Sequence, residues 1–306
     1  MPDNRAPSHR PTEQGEGELC SPWSRLAPEQ RLGLMLAGYA ILHAAIPQIT
    51  VVPRPVSDVL FCGLTVGLAA FVVFELCGLA LGGPGEWAKL AGAAFFLWAF
   101  SLGGLLLSHG FLGSVVVANV CQLVFAGALG GLFASLLPEA KLIPPVAVTV
   151  VLIDWIGVNY GFVGRMLEQR PELVTHMAQA IPVAGSALAS AGAAPRVLAT
   201  VGLGDWLFIA FFLSAAKRFS LNERPTLYAM LGLTLVGLWT VILTDVALPG
   251  LPFIAGAALL CNLRHFRYTR EEKIALLYGA LFLAALAAAY YLGSLRFSAG
   301  EEVPKR

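Results

Sequence analysis

Apolar residues run through this chain in long blocks, without the strict alternation or narrow stripes of half-buried elements, and short polar punctuation separates the blocks. A helix that crosses a bilayer needs about 20 mostly apolar residues. On that ruler the sequence predicts nine spans, at about 32–52, 57–83, 87–109, 111–137, 141–164, 197–217, 225–247, 249–264 and 272–295. Turn or charge signals mark the breaks: "PRP" at 53–55, "GGPGE" at 82–86, "HG" at 109–110, "PEAK" at 138–141, "KRFSLNERP" at 217–225 and "RHFRYTREEK" at 264–273. The first span is the weakest, because it holds His43, Pro47 and Gln48. The long connection, 165–196, contains "PELVTHMAQAIP" (171–182), which reads as a short amphipathic helix lying at the interface. The pattern predicts an all-α, polytopic transmembrane helical bundle.

Composition agrees with that reading. The 306 residues are 57% hydrophobic and 13% charged, with a mean hydropathy of +0.74, outside the range of a soluble domain. A net charge of +1 gives no field that would attract nucleic acid. Residues 1–31 form a polar, Pro-rich tail expected to be disordered, and the apolar run after it starts too late for a secretory signal. Cys62, Cys77, Cys121 and Cys261 lie in apolar segments without metal-type spacing, and the five histidines form no pair at ligand spacing, so no metal site is expected. "GALGG" (127–131) reads as close helix packing. With the N-terminus in the cytoplasm, thirteen of the twenty Lys and Arg fall on the inner side, the clusters 217–224 and 264–273 leading, and the 165–196 loop faces outward.

Acids inside apolar segments are costly and mark function. Four occur: Glu75, Asp154, Asp205 and Asp245. Asp245 lies near the end of its span and can reach the interface, while Glu75, in "FELCG", reads as a buried structural or an interfacial acid. Asp154 lies ten residues before its span leaves the membrane, and Asp205 about eight after the next span begins. At about 1.5 Å per residue both carboxyls fall roughly 12–15 Å below the same face. Gly202 and Gly204 remove side chains just before Asp205, allowing another backbone to come close. On that same face the eighth span opens with Pro249, Gly250, Leu251 and Pro252, whose two prolines predict an unwound stretch with free backbone groups. Such backbone is tolerated at membrane depth only when buried in protein or lining a wet cavity.

Taken together, "LIDW" at Asp154, "GLGD" at Gly202–Leu203–Gly204–Asp205 and "LPGLP" at 248–252 resemble the presenilin and signal peptide peptidase family of intramembrane aspartyl proteases. That family carries an aspartate in one helix, GxGD in the next and Pro-Ala-Leu two helices on. The resemblance covers about 141–264 and implies a presenilin-like catalytic core there, preceded by the spans of 32–137 and followed by an extra helix at 272–295. It implies Asp154 and Asp205 as catalytic residues, and Gly202, Leu203, Gly204, Pro249, Gly250, Leu251 and Pro252 as the substrate-binding motifs. Ile153 stands where the family usually has Tyr, and Gly250 replaces the alanine, a small-for-small change expected to spare the shape. The topology would match signal peptide peptidase and be opposite to presenilin.

Two carboxyls held close do not both ionise cheaply, so such a dyad shares a proton. One carboxylate would act as general base toward a water while its protonated partner polarises the scissile carbonyl. The resemblance implies no metal or organic cofactor, transmembrane peptides or proteins as substrates, and a prokaryotic inner membrane as the location. A substrate helix must unwind before it is cut, and "PRVLAT" (195–200) is a candidate strand for holding it, beside the PGLP backbone. Two rival readings share these residues. A prepilin-peptidase-type membrane protease also uses an aspartate in GxGD, and a proton-coupled transporter would use the acids as proton carriers and the broken helix as a solute site.

Overall fold

The computed structural model describes residues 22–50, 56–79, 81–107, 112–160, 178–186, 197–244 and 248–300. Among them lie nine α-helices: α1 (Pro28–Ala45), α2 (Val56–Cys77), α3 (Pro84–Leu107), α4 (Leu112–Leu136), α5 (Ile143–Tyr160), α6 (Leu203–Arg218), α7 (Glu223–Thr244), α8 (Leu251–Asn262) and α9 (Arg270–Gly300). Two strands, β1 (Gln179–Pro182) and β2 (Val197–Val201), form an antiparallel pair. Four segments, Val56–Cys77, Val115–Leu136, Ala140–Val158 and Glu223–Thr244, are helical, long and apolar enough to cross a membrane. The chain is thus a largely helical membrane protein.

Two expectations fail between α5 and α6. Residues 197–201, assigned to a span, are strand, as the alternative reading of 195–200 as a candidate strand had it for 197–200, and α6 starts only at Leu203. The β-branched Val197, Thr200 and Val201 favour extended backbone, and Gly202 ends the run. The expected amphipathic helix at 171–182 falls outside the described residues up to 177, and its remainder is extended, with all four residues of β1 buried. Pro182 lacks an N–H, and the register shifts at that residue. The expected eighth span, 249–264, is only a 12-residue helix closed by a 3₁₀ turn at Leu263–His265, about 18 Å of α-helix against a hydrocarbon core of about 30 Å. Of the polar tail 1–31, residues 1–21 lie outside the described residues, while Pro22–Arg25 form a 3₁₀ turn and α1 begins at Pro28.

The core is built around α6. Trp206, Ile209, Phe212 and Ala215 pack with Cys62, Val66 and Val73 of α2 and Leu123, Ala126 and Ala134 of α4. The glycines of α4 set how close its neighbours come: Gly127 faces Leu76 of α2, Gly130 the backbone of α6 at Leu207 and Phe211, and Gly131 the Trp87 ring of α3. Small residues let helix backbones approach, as the sequence expectation for 127–131 required. At one end of this core, Lys217 Nζ donates to the Gly78 carbonyl (3.0 Å) and Arg218 Nη1 to those of Ala134 (2.9 Å) and Ser135. These cations satisfy carbonyls that the ends of α2 and α4 leave open. Glu75, buried on α2, faces the guanidinium of Arg31 on α1 at 3.5 Å, which makes it a structural acid.

The outer layer is looser. On one flank α7 and α8 are joined by Asn262, whose Nδ2 donates to Thr226 Oγ1 (2.8 Å) and whose Oδ1 accepts from the Asn222 amide (2.9 Å). On the other, α9 rests on α5: Lys141 meets Glu272 at 2.9 Å, and the Tyr268 hydroxyl donates to the Lys141 carbonyl at 2.9 Å. Between α5, α8 and α9 lies an apolar cavity of about 500 Å³, bordered by Leu152, Trp155, Pro252 and Ala280 among others.

Candidate active site

The tetrapeptide GLGD is the beginning of a helix. Gly202 is the N-cap of α6 with extended backbone (φ −62°, ψ 148°), so Leu203, Gly204 and Asp205 are its first three residues. Helix starts leave amides without intrahelical partners, and an acid at the third position can reach back to one. Asp205 does this: its Oδ2 accepts the Gly202 N–H at 3.1 Å. The carboxylate also sits where the helix dipole favours negative charge. Asp205 therefore stands in the first turn of α6, whereas the sequence placed it about eight residues into a span. The difference comes wholly from β2, which takes up the residues in between.

The PGLP motif is a second helix start. Leu248 and Pro249 are non-helical, Gly250 caps α8, and Leu251 and Pro252 fill its first two positions. Proline is tolerated there because the amide it lacks would have had no helical acceptor. Among the described residues the expected unwound stretch spans 248–250. Its exposed donor is already in use, since the Leu251 N–H donates to Asp154 Oδ2 at 3.1 Å.

Both carboxyls converge on the dipeptide Gly250–Leu251. While Asp154 takes the amide of Leu251, Asp205 fills the space beside Gly250, where an added Cβ would lie 2.5 Å from its Oδ1. With ordinary backbone dimensions, these contacts hold the two carboxyl groups within about 9 Å of each other. The motifs separated by some fifty residues each in sequence are thereby joined at two helix N-termini and one mid-helix position.

The glycines differ in what they do. A Cβ on Gly202 would lie 3.3 Å from Asp205 Oδ2, whereas one on Gly204 would meet no atom within 4 Å among the described residues. Space beside Gly204 is open, as an approaching backbone would require, while Gly202 meets only the Asp205 carboxyl and the Gly204 amide of its own helix start. At Gly250 a methyl group would meet the Asp205 carboxyl, the end of a side chain. Ile153, 64% exposed, faces outward, and so does Trp155 at 46%, while Asp154 between them is half-buried. Asp245 lies outside the described residues. Among the described residues no three His, Cys, Asp or Glu side chains gather as a metal site.

Sequence reasoning missed a polar cluster behind the hairpin, made by Tyr39 and His43 of α1, Asn119 of α4 and Gln179 of β1, all buried. Its one legible signal was the pair Tyr39 and His43, four residues apart and so on one helix face. Compared with family models, with curated proteins and with solved structures, the chain matches none.

Proposed function

We propose that the chain is an intramembrane aspartyl endopeptidase that hydrolyses peptide bonds within transmembrane segments, with Asp154 and Asp205 as its dyad. The observation that carries this reading is the convergence of both carboxyls on Gly250–Leu251. The resemblance of LIDW, GLGD and LPGLP to presenilins and signal peptide peptidases supports the same conclusion.

In this reading the dyad shares one proton and activates a water: one carboxylate takes the water's proton as it attacks the scissile carbonyl, and the protonated partner hydrogen-bonds the developing oxyanion. That acid then helps the amide nitrogen leave as an amine. No metal or organic cofactor enters this scheme. The substrate must be extended before it is cut, since a helix encloses its own amides. Strand β2, leading directly into Gly202, offers an edge along which an unwound segment adds by main-chain hydrogen bonds. The open space beside Gly204 lies on that route. The charge distribution favours a cytoplasmic N-terminus, and the resemblance a prokaryotic inner membrane as the setting.

The test is cleavage of a labelled single-span peptide by purified protein in lipid, comparing wild type with Asp154→Asn and Asp205→Asn. Each substitution keeps shape and removes acid–base capacity, so each should lower turnover by at least about a hundredfold. Wild-type rates in either variant would sink the proposed dyad.

A further inference from the structure

Strand β1 is held by side chains along the edge that faces away from β2. His43 Nε2 lies 2.8 Å from the Ala180 carbonyl oxygen, and Asn119 Nδ2 lies 3.2 Å from the same atom. Asn119 Nδ2 donates to it, and His43 Nε2, which lies 2.9 Å from that nitrogen, donates to the same oxygen in the tautomer protonated at Nε2. Asn119 also accepts the Ala180 N–H on Oδ1 at 3.4 Å. One amide side chain thus pairs with both backbone groups of one residue, as a neighbouring strand would. One residue earlier, Gln179 Nε2 donates to the Tyr39 hydroxyl. A further tether follows β1, where Gly185, with φ +71°, donates its N–H to the Ile46 carbonyl at 3.4 Å.

Two features set these contacts apart from ordinary core polarity. His43 and Asn119 are 1% and 4% exposed, and buried polar groups at fixed positions specify one arrangement of what they hold. The register then carries that arrangement onward. Ala180 stands opposite Thr200, and Gln179 opposite Val201, the residue before Gly202. Backbone groups in an antiparallel pair point alternately toward and away from the partner. Because those of Ala180 point away from β2, those of its partner Thr200 point to the opposite, outer edge of the hairpin; Leu198, at the register shift, has no partner on β1.

We propose that Asn119 and His43 are positioning residues. They close the outer edge of β1, so that, of the two edges of the described hairpin, that of β2 is left to take an added strand, and they fix Gly202, whose amide holds the Asp205 carboxyl. The placement of β2 and Gly202 stands on these contacts alone; the consequence for cleavage rests on the protease reading. Substrate would then pair through Thr200, in a register set ultimately by Asn119.

The experiment is hydrogen exchange of residues 179–182 and 197–205 in the full-length protein in lipid, alongside kcat, KM and the cut position on a labelled single-span peptide, read by mass spectrometry. Asn119→Leu should speed exchange in both strands at least tenfold while α2 stays protected. It should raise KM more than it lowers kcat, and spread the cut over neighbouring bonds, which a loss of global stability would not do. His43→Leu should act in the same direction, and His43→Gln, which keeps a donor for Ala180, should restore wild-type behaviour; this pair carries the test if Asn119→Leu does not fold. Unchanged exchange at 197–205 in the folded leucine variants overturns the proposal whether or not the protein cuts. Loosened strands with unchanged KM and cut position overturn the substrate register. Absence of any cleavage by wild type counts against the protease reading alone, and the exchange result still decides the positioning role.

Discussion

The two acids stand on helices of opposite character. α6, which carries Asp205, is buried along nearly its whole length, from Trp206 through Ala216, with α2 and α4 on its flanks. α5, which carries Asp154, buries Ile143 and Ala147 and turns Val148, Ile153 and Trp155 outward. It rests mainly on α8 and α9, beside a cavity of about 500 Å³. One carboxyl is thus fixed to the core and the other to a peripheral wall. Local opening needs little free energy where few apolar contacts are broken. A site that must admit a substrate helix and then close on it can do so by moving α5 and leaving α6 in place.

The largest effect that would break this contrast is a matched pair of glycine substitutions. At Gly130 of α4 an added Cβ would run into the α6 backbone, whereas at Gly157 of α5 it would meet nothing within 4 Å. Gly130→Val should force α4 and α6 apart and cost about 3 kcal/mol, the upper part of the overpacking range, with a clear fall in thermal stability. Gly157→Val should stay within about 0.5 kcal/mol, as surface changes do. Equal melting temperatures for the two variants would refute a core centred on α6.

How much of this was readable beforehand follows from the same physics. Helices were legible as long apolar blocks, and eight of the nine start within about four residues of their expected positions, because Pro, Gly and charge mark helix starts independently of tertiary contacts. The ninth, α6, was started six residues early because an apolar run such as "VLATV" has no periodicity that separates a strand from a buried helix, and 197–200 was read both as the start of a span and as part of a candidate strand. Its β-branched residues and the following Gly202 were the available signal. Asp154, Asp205 and PGLP were legible as chemistry, since charge and proline are expensive in apolar surroundings. Their meeting at Gly250–Leu251 was not, because it depends on how three helices pack, and a chain that is apolar on all sides does not announce which face is inward. The contact of His43 with Ala180, across 137 residues, was hidden for the same reason.

At the site the contrast between crowded and open positions recurs on a smaller scale. Gly250→Ala places a methyl group against Asp205 Oδ1, and the carboxyl, being the end of a side chain, yields before the backbone does. Stability should change little, while turnover should fall about tenfold or more as the acid leaves its geometry. Gly204→Ala meets open space and improves helix propensity by up to about 1 kcal/mol, so the fold should be kept or stabilised. Its effect on cleavage should appear in KM, where the methyl group narrows the substrate route. Thermal melts together with kcat and KM separate the cases, and a Gly250→Ala variant with wild-type turnover would show that the Asp205 carboxyl is not confined by that contact.

The smallest effect concerns the tether of α9 to α5. Lys141 and Glu272 meet at 2.9 Å with both side chains more than a third exposed. Exposed pairs contribute little, and raising salt toward about 1 M shortens the screening length to about 3 Å and weakens them further. Glu272→Gln should therefore move the melting temperature by no more than about 2 °C. The Tyr268 hydroxyl still holds the Lys141 carbonyl in that variant, which further limits the loss. The informative readout is local: hydrogen exchange should rise slightly along 143–160 of α5 and not along 203–218 of α6. The same rise in wild type at high salt would assign it to the ion pair. An equal response in both helices would mean that α5 and α6 open as one unit, and the division into a fixed acid and a movable one would fall.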